Sequence, residues 1–142
     1  MRTAIPYFSS DTLQKSVDSA VAQRRYDRVF VYCSAMAQYV PWHLSVPVVM
    51  DLVDVDSDKW AQYAAATRFP FSAIYAKEGR NLRAYERDVS ERAACVLVTT
   101  EREAQLARAV APAARVHVVS IGVDTSHFTP AISLLSSVLT ES

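Results

Sequence analysis

The densest cluster of side chains able to do chemistry is Asp54-Val55-Asp56-Ser57-Asp58-Lys59, which follows the apolar run from Pro47 to Val53. Alternating carboxylates suit a hard divalent cation, so Asp54, Asp56 and Asp58 are candidate ligands for metal-assisted chemistry. An EF-hand is excluded, because the sixth loop position is Lys59 where glycine is needed and the twelfth is Ala65 where a bidentate glutamate is needed. Two readings of the cluster stand. Either Ser57 or Asp58 caps a following helix, whose positive end favours carboxylates, or the acids contact a ligand at the exit of a strand, where perturbed acids gather.

Other candidates are weaker. Trp60 and Tyr63 follow the acids at helical spacing, which reads as packing more than as a stacking platform. Lys77, Arg80, Arg83 and Arg87 share one side of a long periodic segment. Asp88 and Glu91 share much of that side, which reads as a solvated, ion-paired face more than as a lipid-binding one. His43, His117 and His127 lack zinc spacing, and no HExxH, CxxC or GxSxG occurs. The chain has only two glycines, Gly79 and Gly122, so neither a GxGxxG loop nor a P-loop can be assembled. Lys plus Arg (15) balance Asp plus Glu (15) over 142 residues, and no net field draws in nucleic acid. Cys33 and Cys95 lie in apolar runs and read as buried thiols of a reducing compartment. Neither a signal peptide nor a run of about 18 apolar residues is present, so a cytoplasmic protein is expected.

These candidates need elements to hold them. Apolar residues at spacings of three and four predict helices over 12–25, 59–67, 71–93 and 101–110. Thr100 and Glu103 form a capping box for the last of these. Gly79 should weaken its helix by about 1 kcal/mol relative to alanine. Short β-branched runs predict strands over 28–33, 48–53, 95–99 and 115–120. Alternation of helix and strand, with apolar runs in every strand, predicts an α/β fold. It is a Rossmann-like parallel sheet of about four strands, flanked by helices on both faces. Ligands of such sheets bind beyond the carboxyl ends of the strands. That rim comprises the loops 34–38, 54–59 and 121–125.

Three stretches carry a family resemblance: PVVMDLVDVDSDKW from Pro47, TTEREA from Thr99 and VVSIGVDTSHFTP from Val118. Their order and spacing resemble the N-terminal domain of family-4 glycosyltransferases of the GT-B fold. With MAQYV from Met36, they look most like the sugar transferases associated with PEP-CTERM and exopolysaccharide systems. The resemblance implies retaining transfer from a nucleotide-sugar to an acceptor hydroxyl, with no cofactor and no obligatory metal. It implies a partial acceptor-side domain over residues 1–130, with 131–142 a tail that could form a short helix. By this likeness Asp54 is the candidate catalytic residue, and Ser34, Met36, Asp56, Ser57, Asp58 and Lys59 line the acceptor cleft. Gly122 and Asp124 form the turn toward a second domain. Val53-Asp54 stands where many members have His-Asp, and Ile121 where they have Asn, so no histidine role is implied.

The family's opening glycine-containing strand and its donor-binding domain are not in this sequence, so the chain is expected to be truncated and inactive alone. Expected partners are that C-terminal donor domain and a sugar or lipid-linked acceptor, with peripheral contact to the inner membrane and no nucleic acid. Two readings from other classes compete with this one: the metal-assisted enzyme, and a non-catalytic interaction module docking through an exposed sheet edge or cleft face.

Overall fold

The structure, a computed structural model, describes residues 5–23, 26–43 and 45–124. After a 3-10 turn at Ile5–Phe8 come α1 (Asp11–Gln23), β1 (Val29–Tyr32), a 3-10 helix (Ser34–Tyr39) and β2 (Val48–Asp51). Then follow α2 (Asp56–Ala66), α3 (Phe71–Arg92), β3 (Cys95–Val98), α4 (Glu101–Val110) and β4 (Val116–Val118). The expected tail at 131–142 lies outside the described residues.

The four strands form one sheet in the order β1-β2-β3-β4, and all pairs are parallel. Val31 pairs with Met50 and Met50 with Val96, so these side chains share a face. That face is the core: Val31, Val48, Met50, Val96 and Val98 are buried against Val89 of α3 and Ala104, Ala107 and Val110 of α4. Small residues on α4 let its backbone approach the sheet closely, and the burial of each large aliphatic contributes about 2 kcal/mol. The other face differs from expectation. Phe30 and Tyr32 are each 61% exposed, and Val49 and Leu97 are only half-buried. Among the described residues the helices close one face of the sheet, and the apolar runs leave their alternate side chains open on the other.

The helix α3 sets the shape of the rim. At 22 residues it is about 33 Å long, whereas the strands, of four residues or fewer, rise about 13 Å. Its end lies at the base of the sheet, where the amide of Ala94 donates to the Val48 carbonyl at 2.8 Å. Glu86 is already level with the start of α2. The first half of α3 therefore rises past the carboxyl ends of the strands, antiparallel to α2. Gly79 makes that pairing possible: a Cβ there would lie 3.2 Å from Trp60 Cβ. The glycine that costs helix propensity is the one that lets α2 and α3 touch.

Candidate functional site

The residues around the carboxyl rim are held in unusual backbone. Cys33, just after β1, and Val53, just after β2, both have φ of 63°. A β-branched residue in this left-handed region is strained, and such strain gathers at functional sites. Asp51 ties the two together, since its carbonyl accepts from the Cys33 amide at 2.8 Å and its Oδ1 from the Val53 amide at 3.0 Å. A tight turn follows, with the Asp54 amide donating to the Leu52 carbonyl at 2.6 Å.

The helix that carries the acids starts three residues earlier than its periodicity suggests, at Asp56, and neither Ser57 nor Asp58 caps it. Val55 holds the cap position and has no side chain able to accept. Two carboxylates from other helices serve instead. Glu103 of α4 accepts the Val55 amide through Oε2 at 3.0 Å, and Glu86 of α3 accepts the Ser57 amide through Oε1 at 3.2 Å. Thr100 does accept from the Glu103 amide, at 3.2 Å, as the capping box requires. The reciprocal arm of that box is spent on Val55.

Above these anchors the polar side chains face solvent. Lys59 Nζ lies 2.7 Å from Asp54 Oδ2 and 3.3 Å from Asp56 Oδ1. Its bond to Asp54 raises the lysine pKa above its ordinary value, against a smaller opposing effect of burial. Asp58 accepts from Gln62 Nε2 at 2.7 Å. The ammonium takes the position between Asp54 and Asp56 that a cation would need. No grouping of three or more His, Cys, Asp or Glu able to hold a metal occurs among the described residues.

Beneath the turn the electrostatics change. Glu86 is 1% exposed, and burial pushes its pKa up to about 7. The hydroxyl and amide of Ser57 pull it down, and the charge of Asp56 pushes it further up. The Glu86 Oε2 and Ser57 Oγ atoms are both buried without a well-formed hydrogen bond. Burial also drives the Tyr85 phenol up to about 12.

The remaining sequence candidates are spread along the same rim. Ser34 opens the 3-10 helix after β1 and is buried. Met36 lines a cavity of about 670 Å³ between α1 and the outer edge of β1, with Leu13, Val17 and Tyr26. Gly122 and Asp124 are exposed beyond β4, at the far edge of the sheet. Only Asp54, Asp56, Asp58 and Lys59 form one contiguous polar surface. Cys33 and Cys95 are half-buried free thiols. Sequence reasoning missed Glu86 and the second role of Glu103.

A parallel sheet with strained turns and a polar cluster at its carboxyl rim is the ligand-binding arrangement of open α/β proteins. Residues 12–122 match the Glycosyl transferase 4-like domain, so the chain belongs to this glycosyltransferase family. No curated protein matches it. Among the described residues no helix is long and apolar enough to cross a membrane.

Proposed function

We propose that this chain is the acceptor-side domain of a retaining, nucleotide-sugar-dependent glycosyltransferase. In this reading the Asp54–Lys59 turn receives a sugar or lipid-linked acceptor. The donor is held by a second domain outside these residues, and the enzyme serves exopolysaccharide or glycoconjugate synthesis at the cytoplasmic face of the inner membrane.

The observation that carries the reading is the sign of the charge at the rim. Asp54 and Asp56 flank the Lys59 ammonium, with Asp58 beside them and Glu103 at the foot of the turn. Such a surface repels a diphosphate and suits an uncharged polyol, whose hydroxyls donate to carboxylates. In the assembled enzyme Asp54 accepts a hydrogen bond from the attacking hydroxyl and takes up its proton. The hydroxyl oxygen bonds to the anomeric carbon on the same face from which the diphosphate oxygen departs as that bond breaks, so the configuration is retained, and the nucleoside diphosphate leaves. Lys59 holds Asp54 in place and offsets the neighbouring acids. Stabilising the leaving diphosphate is the costliest task in such a transfer, and it falls to the donor-binding half.

The test is a turnover assay of the purified chain against a panel of nucleotide-sugars. No release of nucleoside diphosphate is expected. A robust rate would show that the chain holds its own donor site and overturn this division of labour.

A further inference from the structure

The α2–α3 hairpin carries a feature that the acceptor site does not use. From Trp60 to Lys77 there is no carboxylate, yet the stretch holds Trp60, Tyr63, Phe69, Phe71 and Tyr75 together with Arg68 and Lys77. Where the hairpin turns, Phe69 is 84% exposed and Phe71 57%. Exposed aromatic rings of this size are costly in water and are normally covered. Behind them Trp60, Tyr63 and Tyr75 pack edge-on and tilted, with ring centroids 5.6–6.4 Å apart, so the patch stands on a firm base.

The cations divide in the same way. Near the sheet Arg87 pairs with Glu91 and Arg92 with Asp88, while Arg83 donates to the Ala109 carbonyl. Toward the turn Arg68 and Lys77 are exposed and have no ion-pair partner among the described residues. Glu78, the first acid after the turn, is buried. The hairpin is thus acidic and largely ion-paired toward the sheet, and aromatic and cationic at its tip.

We propose that the tip of the α2–α3 hairpin docks on an anionic lipid surface, with Phe69 and Phe71 entering the headgroup region and Arg68 and Lys77 facing lipid phosphates. Charge complementarity selects this occupant: aromatic rings settle at the headgroup level, and unpaired cations gain from a negative surface. The contact lies on the membrane and does not span it. Its position gives it a purpose. The eleven residues of α2 span about 16 Å, so the docked tip would hold the Asp54–Lys59 turn about that far from the lipid. That distance is within reach of a sugar carried on a membrane anchor. The docking rests on the hairpin alone, and its link to a lipid-borne acceptor rests on the reading of the acidic turn given above.

The experiment is co-sedimentation of the 142-residue chain with vesicles of mixed phosphatidylglycerol and phosphatidylcholine, and with phosphatidylcholine alone. Binding is expected on the anionic vesicles, falling by at least about tenfold on the neutral ones and in high salt. Phe69→Ser with Phe71→Ser, and separately Arg68→Glu with Lys77→Glu, should each abolish binding. All four positions are exposed, so an unchanged circular dichroism spectrum confirms that both variants remain folded. Absence of binding to anionic vesicles overturns the proposal, as does undiminished binding by either double variant. A wild-type dimer that the serine variant converts to monomer, with no vesicle binding, would assign the patch to a second copy instead. The readout contains no sugar. Vesicle binding with an unresponsive acidic turn would retain the docking and remove the transfer reading, and the opposite result would do the reverse.

Discussion

Glu86→Gln isolates the cost of the buried acid under the candidate site. The glutamine keeps an oxygen for the Ser57 amide and removes the charge. The folded-state pKa is raised from 4.5 to about 7, with burial the largest cause. At about 1.4 kcal/mol per unit, ionising Glu86 in the folded chain therefore costs about 3 kcal/mol. The folded chain holds this proton over a range of pH where the unfolded chain has released it. Stability from the protonated acid is thus complete below pH 4.5 and is lost as pH rises through about 7. Between about pH 5.5 and 8.5 the wild type should lose roughly 2 kcal/mol that the variant keeps. The new amide brings a cost of its own, about 1–3 kcal/mol if its NH2 finds no partner, so the slope is the readout and not the absolute value. Urea unfolding at several pH values measures it, and with m of about 1–3 kcal/mol/M the difference appears as a midpoint shift near 1 M. Parallel stability curves for the two proteins would refute the claim that Glu86 is buried and costly to ionise.

Three further outcomes follow from the same geometry. Gly79→Ala gains helix propensity of about 1 kcal/mol but drives a methyl into Trp60, and overpacking costs about 1–3 kcal/mol. A net fall of a few degrees in Tm is expected by calorimetry, and a rise would mean that α2 yields easily. Glu103→Ala leaves the Val55 amide without its acceptor and should cost about 1–3 kcal/mol, with amide hydrogen exchange at Val55 accelerated while the Thr100 cap persists. Lys59→Met removes two exposed ion pairs and should change stability by less than about 1 kcal/mol. Calorimetry with Mg²⁺ should show no specific heat for the wild type, and any weak heat should appear only in this variant. Tight Mg²⁺ binding by the wild type would favour metal-assisted chemistry.

What could be read from the sequence was local. The strands lie within two residues of their apolar runs, and α3 matches its periodicity almost to the residue, because β-branched content and helical spacing are local signals. Half of the capping box at Thr100 was legible for the same reason. The start of α2 was not. Its amides are held by carboxylates 29 and 48 residues away in sequence, and contacts at that separation leave no mark on neighbouring residues. Gly79 read as a weakness because its partner, Trp60, belongs to another helix. The open sheet face escaped notice because a fully apolar strand looks the same whether one side or both are covered. The one visible clue against a bare cation site was Lys59, five residues after Asp54.

The most direct measurement of the central claim is an amide NMR titration of the chain with simple methyl glycosides and, separately, with uridine diphosphate. The account predicts shifts at Asp54 through Lys59 with the glycosides and none with the nucleotide, because a turn rich in carboxylates accepts hydroxyls and repels phosphate. Shifts at that turn with the nucleotide, or none there with any glycoside, would contradict it.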